Sequence, residues 1–272
     1  MERGFHHISD REYFALDIPS ASGTKPLIRG TNAHLAWKRE QPPEQSDAFA
    51  IGAYTHALCL TPEIIGTDFV RSGRIDRRTT EGKAKYADLM ARAERTGARL
   101  ITDEQAEQAT AMADAVKAHP TWVRLGNLIS RREVVAIGDI DGVPCKCKID
   151  ATDDRFTIIV DLKTTQSAAP ADFSRSIDAF GYAHQAAFYR AVLKSLHHTA
   201  ADFVFVCVEK DAPHLVAAYR LADRAIDAAS ARLPDLVRRW RAVRDGDRTG
   251  YPNLITDIDL PSWAYGKDQT NE

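Results

Sequence analysis

Cys145-Lys-Cys-Lys-Ile-Asp150 and Ile159-Val-Asp-Leu-Lys-Thr-Thr165 are the two stretches on which the reading of this chain turns. The first alternates along a strand, and the second follows Thr157-Ile-Ile-Val160, a nearly continuous apolar run suited to a strand buried on both faces. Asp153-Asp154 supplies a turn between them, so the two strands are expected to lie side by side. Side chains two residues apart on a strand share a face, so Asp161 and Lys163 project together. Pairing in register also brings Asp150 close to Asp161. Two acids that near repel unless a cation or a proton lies between them. Oxygen ligands at this density suit Mg²⁺ or Mn²⁺ rather than zinc. Taken singly, each residue has a plainer reading: Asp150 in a turn, Asp161 capping a strand, and Lys163 a strand-end lysine whose ammonium reaches water.

Other residues add to the pattern. Glu133 begins the strand preceding the Asp150 strand, where it either completes the acidic cluster or is simply solvated. Gln185 and Tyr189 are four apart on a helix and point together, although as an isolated pair they read as a helix with a half-buried tyrosine. His56 stands on an otherwise apolar helix face, one turn after Gly52. A histidine there alone is more often a satisfied core residue than a ligand. With the carboxylates binding a divalent ion, Lys163 is placed to contact a phosphate and an attacking water, with Thr164 and Thr165 adding hydroxyl donors. The combination fits hydrolysis of a phosphodiester bond.

Further from the centre, helical spacing and stop signals predict helices over Lys25–Arg39, Asp47–Leu60, Thr80–Thr96 and, from the capping box Thr102-Asp-Glu-Gln105, to Ala118. A strand is expected at Glu133–Ile137, turned by Asp139-Ile-Asp-Gly142 into Val143–Asp150, and followed by Phe156–Lys163. A short helix over Ala171–Ala179, a clear one over Gly181–Leu196, strands at Asp202–Glu209 and Leu215–Arg220, and a long helix over Asp223–Asp245 complete the order. Leu233-Pro234 is a point of adjustment in that last helix. No repeat or composition break divides the chain. Residues 1–100 read as a mostly helical part, 101–246 as an α/β core and 247–272 as a polar tail.

The composition is that of an ordinary globular protein: 272 residues, 44% hydrophobic, 27% charged and net charge −2. No apolar run is long enough to cross a bilayer and the N-terminus lacks the apolar core of a signal peptide, so a cytoplasmic location without membrane contact is expected. The four cysteines include no C-x-x-C pair, so buried free thiols are expected rather than a zinc site. No Gly-x-x-x-x-Gly-Lys loop or Gly-x-Ser-x-Gly elbow is present. Basic residues cluster at Arg71, Arg74, Arg77, Arg78, Lys83 and Lys85, and again at Arg238, Arg239, Arg241 and Arg244. Each group reads equally as a solvated face or a nucleic-acid contact.

Taken in order, these segments resemble the PD-(D/E)XK nuclease superfamily, and within it the nuclease domain of bacterial exodeoxyribonuclease VIII and related phage recombination exonucleases. The likeness runs from about Ile18 to Trp240 through Ser20-Ala-Ser-Gly-Thr-Lys, the Gly-x-x-x-His-x-Leu segment within Phe49–Glu63, Arg77-Arg-Thr-Thr-Glu-Gly-Lys83, the two acidic strands and the Gln185/Tyr189 helix. Ala151 follows Asp150 in place of the proline-flanked pattern in the superfamily's name. The resemblance implies an α/β fold with a mixed sheet flanked by helices. It implies a metal site of His56, Asp150, Asp161 and the Leu162 carbonyl, with Lys163 catalytic and Gln185 and Tyr189 supporting. It further implies a Mg²⁺-dependent exodeoxyribonuclease, with Mn²⁺ able to substitute, that degrades one strand of linear duplex DNA 5′ to 3′. The product would be 3′ overhangs for recombination by an annealing protein, and the enzyme a ring around DNA. Ser22, Arg77, Arg78 and Lys83 are the candidate DNA contacts. A structure-specific endonuclease on the same fold and a non-catalytic DNA-end-binding protein are the alternatives.

Overall fold

The computed structural model describes residues 1–42, 46–73, 75–76, 78–198, 202–261 and 264. The chain begins with β1 (Gly4–His6), α1 (Asp10–Ala15), α2 (Ala21–Thr24), α3 (Asn32–Glu40), α4 (Asp47–Leu60) and α5 (Ile65–Asp68). Then come β2 (Phe69–Arg71), α6 (Thr80–Thr96), β3 (Arg99–Ile101), α7 (Asp103–Ala118) and α8 (Pro120–Gly126). The remainder is β4 (Arg131–Ile140), β5 (Val143–Thr152), β6 (Ile158–Thr165), α9 (Pro170–Ala179), α10 (Tyr182–Ser195), β7 (Asp202–Glu209), β8 (Val216–Arg220), α11 (Asp223–Ser230) and α12 (Leu233–Arg244).

Six strands form one mixed sheet in the order β1-β4-β5-β6-β7-β8. Only β6 and β7 run parallel, and their eight-residue register is central to it. The β4–β5 hairpin closes on Asp141-Gly142, both at positive φ (52° and 70°), as a two-residue turn of this twist requires. Helix α10 covers one face, where Ala186, Ala187, Phe188 and Val192 pack on Val134, Cys147 and Phe205. Helices α4 and α7 cover the other, where Ile51, Tyr54, Ala109 and Met112 pack on Val160, Leu162 and Val206. The α/β fold with its mixed sheet flanked by helices is thus as the sequence and its resemblance lead one to expect. No helix among the described residues is long and apolar enough to cross a membrane.

Several local expectations give way, each for a physical reason. The helix expected over Lys25–Arg39 is broken. Pro26 opens a short 3-10 turn over Lys25–Leu27, Gly30 follows, and Thr31 with His34 makes a fresh capping box for α3. The long C-terminal helix divides at Leu233-Pro234, because proline has no N–H to continue α11 and fits the first turn of α12. His119-Pro120 does close α7, yet the same dipeptide caps and opens α8. Strand β1 and helix α1 form ahead of the first element the sequence predicts, the helix held by a Ser9–Glu12 capping box. Arg239 is a structural clamp rather than part of a DNA-facing group: it bonds Asn32 Oδ1 at 2.8 Å and the carbonyls of Leu27 and Gly30, joining α12 to α3. Cys145, Cys147 and Cys207 are buried free thiols, and Cys59 is half-buried and also free.

One glycine decides how closely α10 approaches the sheet. A Cβ at Gly138 would lie 2.2 Å from Ser195 Oγ and 2.7 Å from the Val192 carbonyl, and Ser195 Oγ accepts the Asp139 N–H at 2.8 Å. Gly138→Ala is therefore expected to destabilise the fold by about 1–3 kcal/mol through overpacking. That is a fall in melting temperature on the order of 2–4 °C per kcal/mol, readable by circular dichroism.

Candidate active site

The site forms where the sheet splits. Strands β5 and β6 pair only through Ala151↔Val160 and Thr152↔Ile159, then separate. At the point of separation the Asp150 carboxylate substitutes for a backbone partner, its Oδ2 accepting the Leu162 N–H at 2.9 Å. The gap beside β5 is filled by the N-terminal segment. Pro19 O accepts the Lys146 N–H at 2.8 Å, and the Lys146 ammonium donates to the carbonyls of Tyr13 and Leu16 at 2.5 and 2.6 Å. Strand alternation also breaks here: Ile149 packs into the core under α10, whereas Ala151 packs into the core under α4 and α7. Across from Asp150 on β4, between the pairs Arg132↔Ala151 and Val134↔Ile149, stands Glu133 with φ 52°. A left-handed non-glycine residue within a strand costs roughly 1–3 kcal/mol and persists only where its surroundings hold it.

This irregularity gathers three side chains that could ligate a metal. One ligand atom from each of His56, Glu133 and Asp150 lies within 4.8 Å of the other two. His56 Nδ1 is 3.5 Å from Asp150 Oδ2, and the Leu162 carbonyl lies near the imidazole. Burial, reinforced by Lys163, keeps the imidazole below its usual pKa and hence neutral, the form that ligates metals. Burial and then the neighbouring Asp161 push the Asp150 carboxyl up to about 7. Burial and then Asp150 push Glu133 up as well. Two acids whose pKa values are raised by burial and by nearby carboxylates, with an imidazole and a carbonyl beside them, are the donor set a hard divalent cation would satisfy.

Asp161 is nearly inaccessible, at 1% exposure. It stands apart from the three-residue group, and its oxygens face other side chains. Gln185 Nε2 donates to Oδ1 at 2.6 Å, and Lys163 forms an ion pair with Oδ2. The same-face expectation for Asp161 and Lys163 therefore holds, but convergence of Asp150 and Asp161 on one point is replaced by a division of labour. Tyr189 Oη accepts from Gln185 Nε2 at 3.3 Å, so the helical pair points together as its spacing predicts. Gly52 does face β6, where an added Cβ would touch Thr164 Oγ1 at 3.4 Å, an ordinary contact that an alanine would tolerate.

Next to Lys163 lies a cleft of about 270 Å³ lined by Ser20, Ser22, Lys25, Tyr182, Gln185 and Tyr189, among others. Lys163 Nζ sits 4.9 Å from the Tyr182 ring centroid, and Lys25 Nζ is 5.5 Å from that of Phe180. Burial and then the charge on Lys163 lower the Lys25 pKa, as expected of two ammonium groups sharing a cavity. Ser22 is thus beside the site, with its hydroxyl 3.2 Å from that of Ser20. Arg78 and Lys83 are exposed around the start of α6, which packs on β2 and β3 rather than on the strands carrying the acids. Arg77 lies outside the described residues. Sequence reasoning missed Lys25, Tyr182, Asp10 and Lys148. Lys148 alone carried a usable signal, standing two residues before Asp150 as Lys163 stands two after Asp161.

Among solved structures, one from Eubacterium rectale, of a protein provisionally named an exonuclease, matches with a TM-score of 0.59 at 14% identity, covering 91% of this chain and 96% of that one. At that identity the likeness is one of fold. A second, SSO0001, aligns over 79% of this chain and 85% of its own at 14% identity, with a TM-score of 0.32 that bears no argument. No curated protein matches the sequence. Residues 20–252 match the model of a family described as a PDDEXK-like domain of unknown function (DUF3799), and with the greater part of its length covered the chain belongs to that family.

Proposed function

We propose that this protein is a divalent-metal-dependent nuclease, and more specifically a Mg²⁺-dependent exodeoxyribonuclease acting on the ends of linear duplex DNA. The observation that carries this reading is the meeting of His56, Glu133 and Asp150 within 4.8 Å, beside the Asp161–Lys163 ion pair. Carboxylate oxygens, one imidazole and the Leu162 carbonyl suit Mg²⁺ or Mn²⁺, and Asp161 would join them by exchanging a present partner for the cation. Bound there, such a cation supplies Lewis acidity toward a phosphate oxygen and a more acidic water.

The chain's own residues account for the rest. Lys163 offers a fixed positive charge to a phosphate at the mouth of the cleft and a donor to orient a water. Gln185 and Tyr189 hold Asp161, and through it Lys163, in place. Ser20, Ser22 and Lys25 line the cleft with hydroxyls and a second ammonium, which suits a further phosphate of the strand being cut. Arg77, Arg78 and Lys83 remain candidate contacts to more distant duplex. A net charge of −2 is compatible with this, because local rather than total charge decides binding. The name given to the Eubacterium rectale protein agrees with exonuclease action. The 5′ to 3′ direction, the 3′ overhang, the annealing partner and a ring-shaped oligomer follow the family resemblance.

Three experiments test this. With Mg²⁺ present, end-labelled linear duplex should be degraded, and covalently closed circles left intact. Cutting of the circles would favour the endonuclease instead. Lys163→Ala should lower the cleavage rate by roughly 10²- to 10³-fold while DNA binding survives, as for loss of one preorganised charge-stabilising group. The raised Asp150 pKa gives the third. Its folded value of about 7 exceeds the ordinary 3.8, so its contribution to stability is greatest below the ordinary carboxylate range and is lost as pH rises through about 7. Metal-free protein should therefore melt at a lower temperature at pH 8 than at pH 6. Asp150→Asn, which keeps an acceptor for Leu162, should abolish that difference and raise the melting temperature at pH 8. A flat profile in the wild type would contradict the assignment.

A further inference from the structure

Glu133 does not reach the site unaided. Its Oε2 is paired with the Lys148 ammonium, and Lys148 Nζ in turn donates to Asp10 Oδ1 at 2.5 Å. Asp10 is itself gripped by Arg99 of β3, whose Nη2 lies 3.0 Å from Oδ2. Lys148 and Glu133 are largely shielded, at 23% and 25% side-chain exposure. The anchor is well built. Asp10 is the first residue of α1, whose capping box is closed by the Ser9 N–H on Glu12 at 2.9 Å and the Glu12 N–H on Ser9 Oγ at 3.2 Å. Just upstream, β1 is paired to β4 from Gly4↔Ile137 to His6↔Val135, and just downstream the Lys146 ammonium holds Tyr13 and Leu16.

Glu133 needs such an anchor for two reasons. Its left-handed backbone is not one that its own residue type favours. Its carboxylate also faces Asp150, and two acids so placed would drive each other apart without a positive charge fixed behind one of them. Lys148 supplies that charge as the ion-pair partner of Glu133. From this we infer that Lys148, held by Asp10, is a positioning residue that fixes Glu133 as a metal ligand, so that the N-terminal segment is part of the site's construction. The inference rests on the metal-binding reading of that site. Outer partners of metal ligands typically change affinity by about 10–100-fold when removed, because the ligand they orient is no longer prepared in advance.

The test is calorimetric titration of Mn²⁺ into the full chain without DNA, with melting temperatures recorded alongside. Lys148→Met should weaken Mn²⁺ binding about tenfold or more, and Lys148→Arg, which keeps charge and reach, should restore most of it. Asp10→Asn should weaken binding in the same direction, and carries the test if Lys148→Met does not fold. Because Lys148 acts through Glu133, Lys148→Met should have no further effect in a Glu133→Gln background. Unchanged or tighter binding in Lys148→Met or Asp10→Asn, or an equal loss in the Glu133→Gln background, would overturn the positioning role alone. A wild-type chain that takes up no Mn²⁺ would overturn the metal site and this role together.

Discussion

The hydrogen bond from the Leu162 N–H to the Asp150 carboxylate is the interaction on which the site's geometry rests. A sheet strand whose neighbour departs leaves backbone donors and acceptors without partners, and burying them unpaired is costly. Here the departure is made affordable by a side chain and an inserted segment. Asp150 takes the Leu162 donor, and the segment ending at Pro19 takes the Lys146 donor. The split lets two acidic strands diverge enough to leave a cleft, while keeping Asp150 within reach of β6.

The same split explains how charge is distributed. Asp161 lies deep, neutralised by Lys163 and fixed by Gln185. Asp150 and Glu133 lie nearer the opening, where burial and neighbouring carboxylates raise the pKa of both even though Lys148 pairs with Glu133. A fold tolerates such repulsion where binding repays it, which is a recurrent mark of functional sites. The strained backbone of Glu133 belongs with this, since strain concentrates where a side chain must be aimed rather than merely accommodated.

Two buried cores, one on each face of the sheet, hold the arrangement rigid. Residues of α10 serve both stability and site. Phe188 and Val192 are fully buried in the core, whereas Gln185 on the adjoining face reaches Asp161 and bonds Tyr189. Helix α4 likewise buries Ile51 and Tyr54 while presenting His56 to Asp150. Each functional side chain is thus carried by an element that the apolar pattern already fixes in place, which is what a site of close tolerance needs.

What the sequence alone determined was everything with a local period or a local signal. The 3.6-residue pattern places α4 over Asp47–Leu60, the Thr102–Gln105 capping box starts α7, and the apolar run gives β6. The two-residue rule put Lys163 on the face of Asp161, and the four-residue rule put Tyr189 on that of Gln185. Only the tertiary structure decided which acid would face which. Asp161 is drawn to Lys163 and Gln185, and Glu133 comes close to His56 and Asp150 through a positive φ that its residue type gives no reason to expect. Asp10, 138 positions from Lys148, is brought to it by the seating of α1. Contacts at such separation depend on sheet register and on where a strand leaves its neighbour, and neither is written in any short window of the chain.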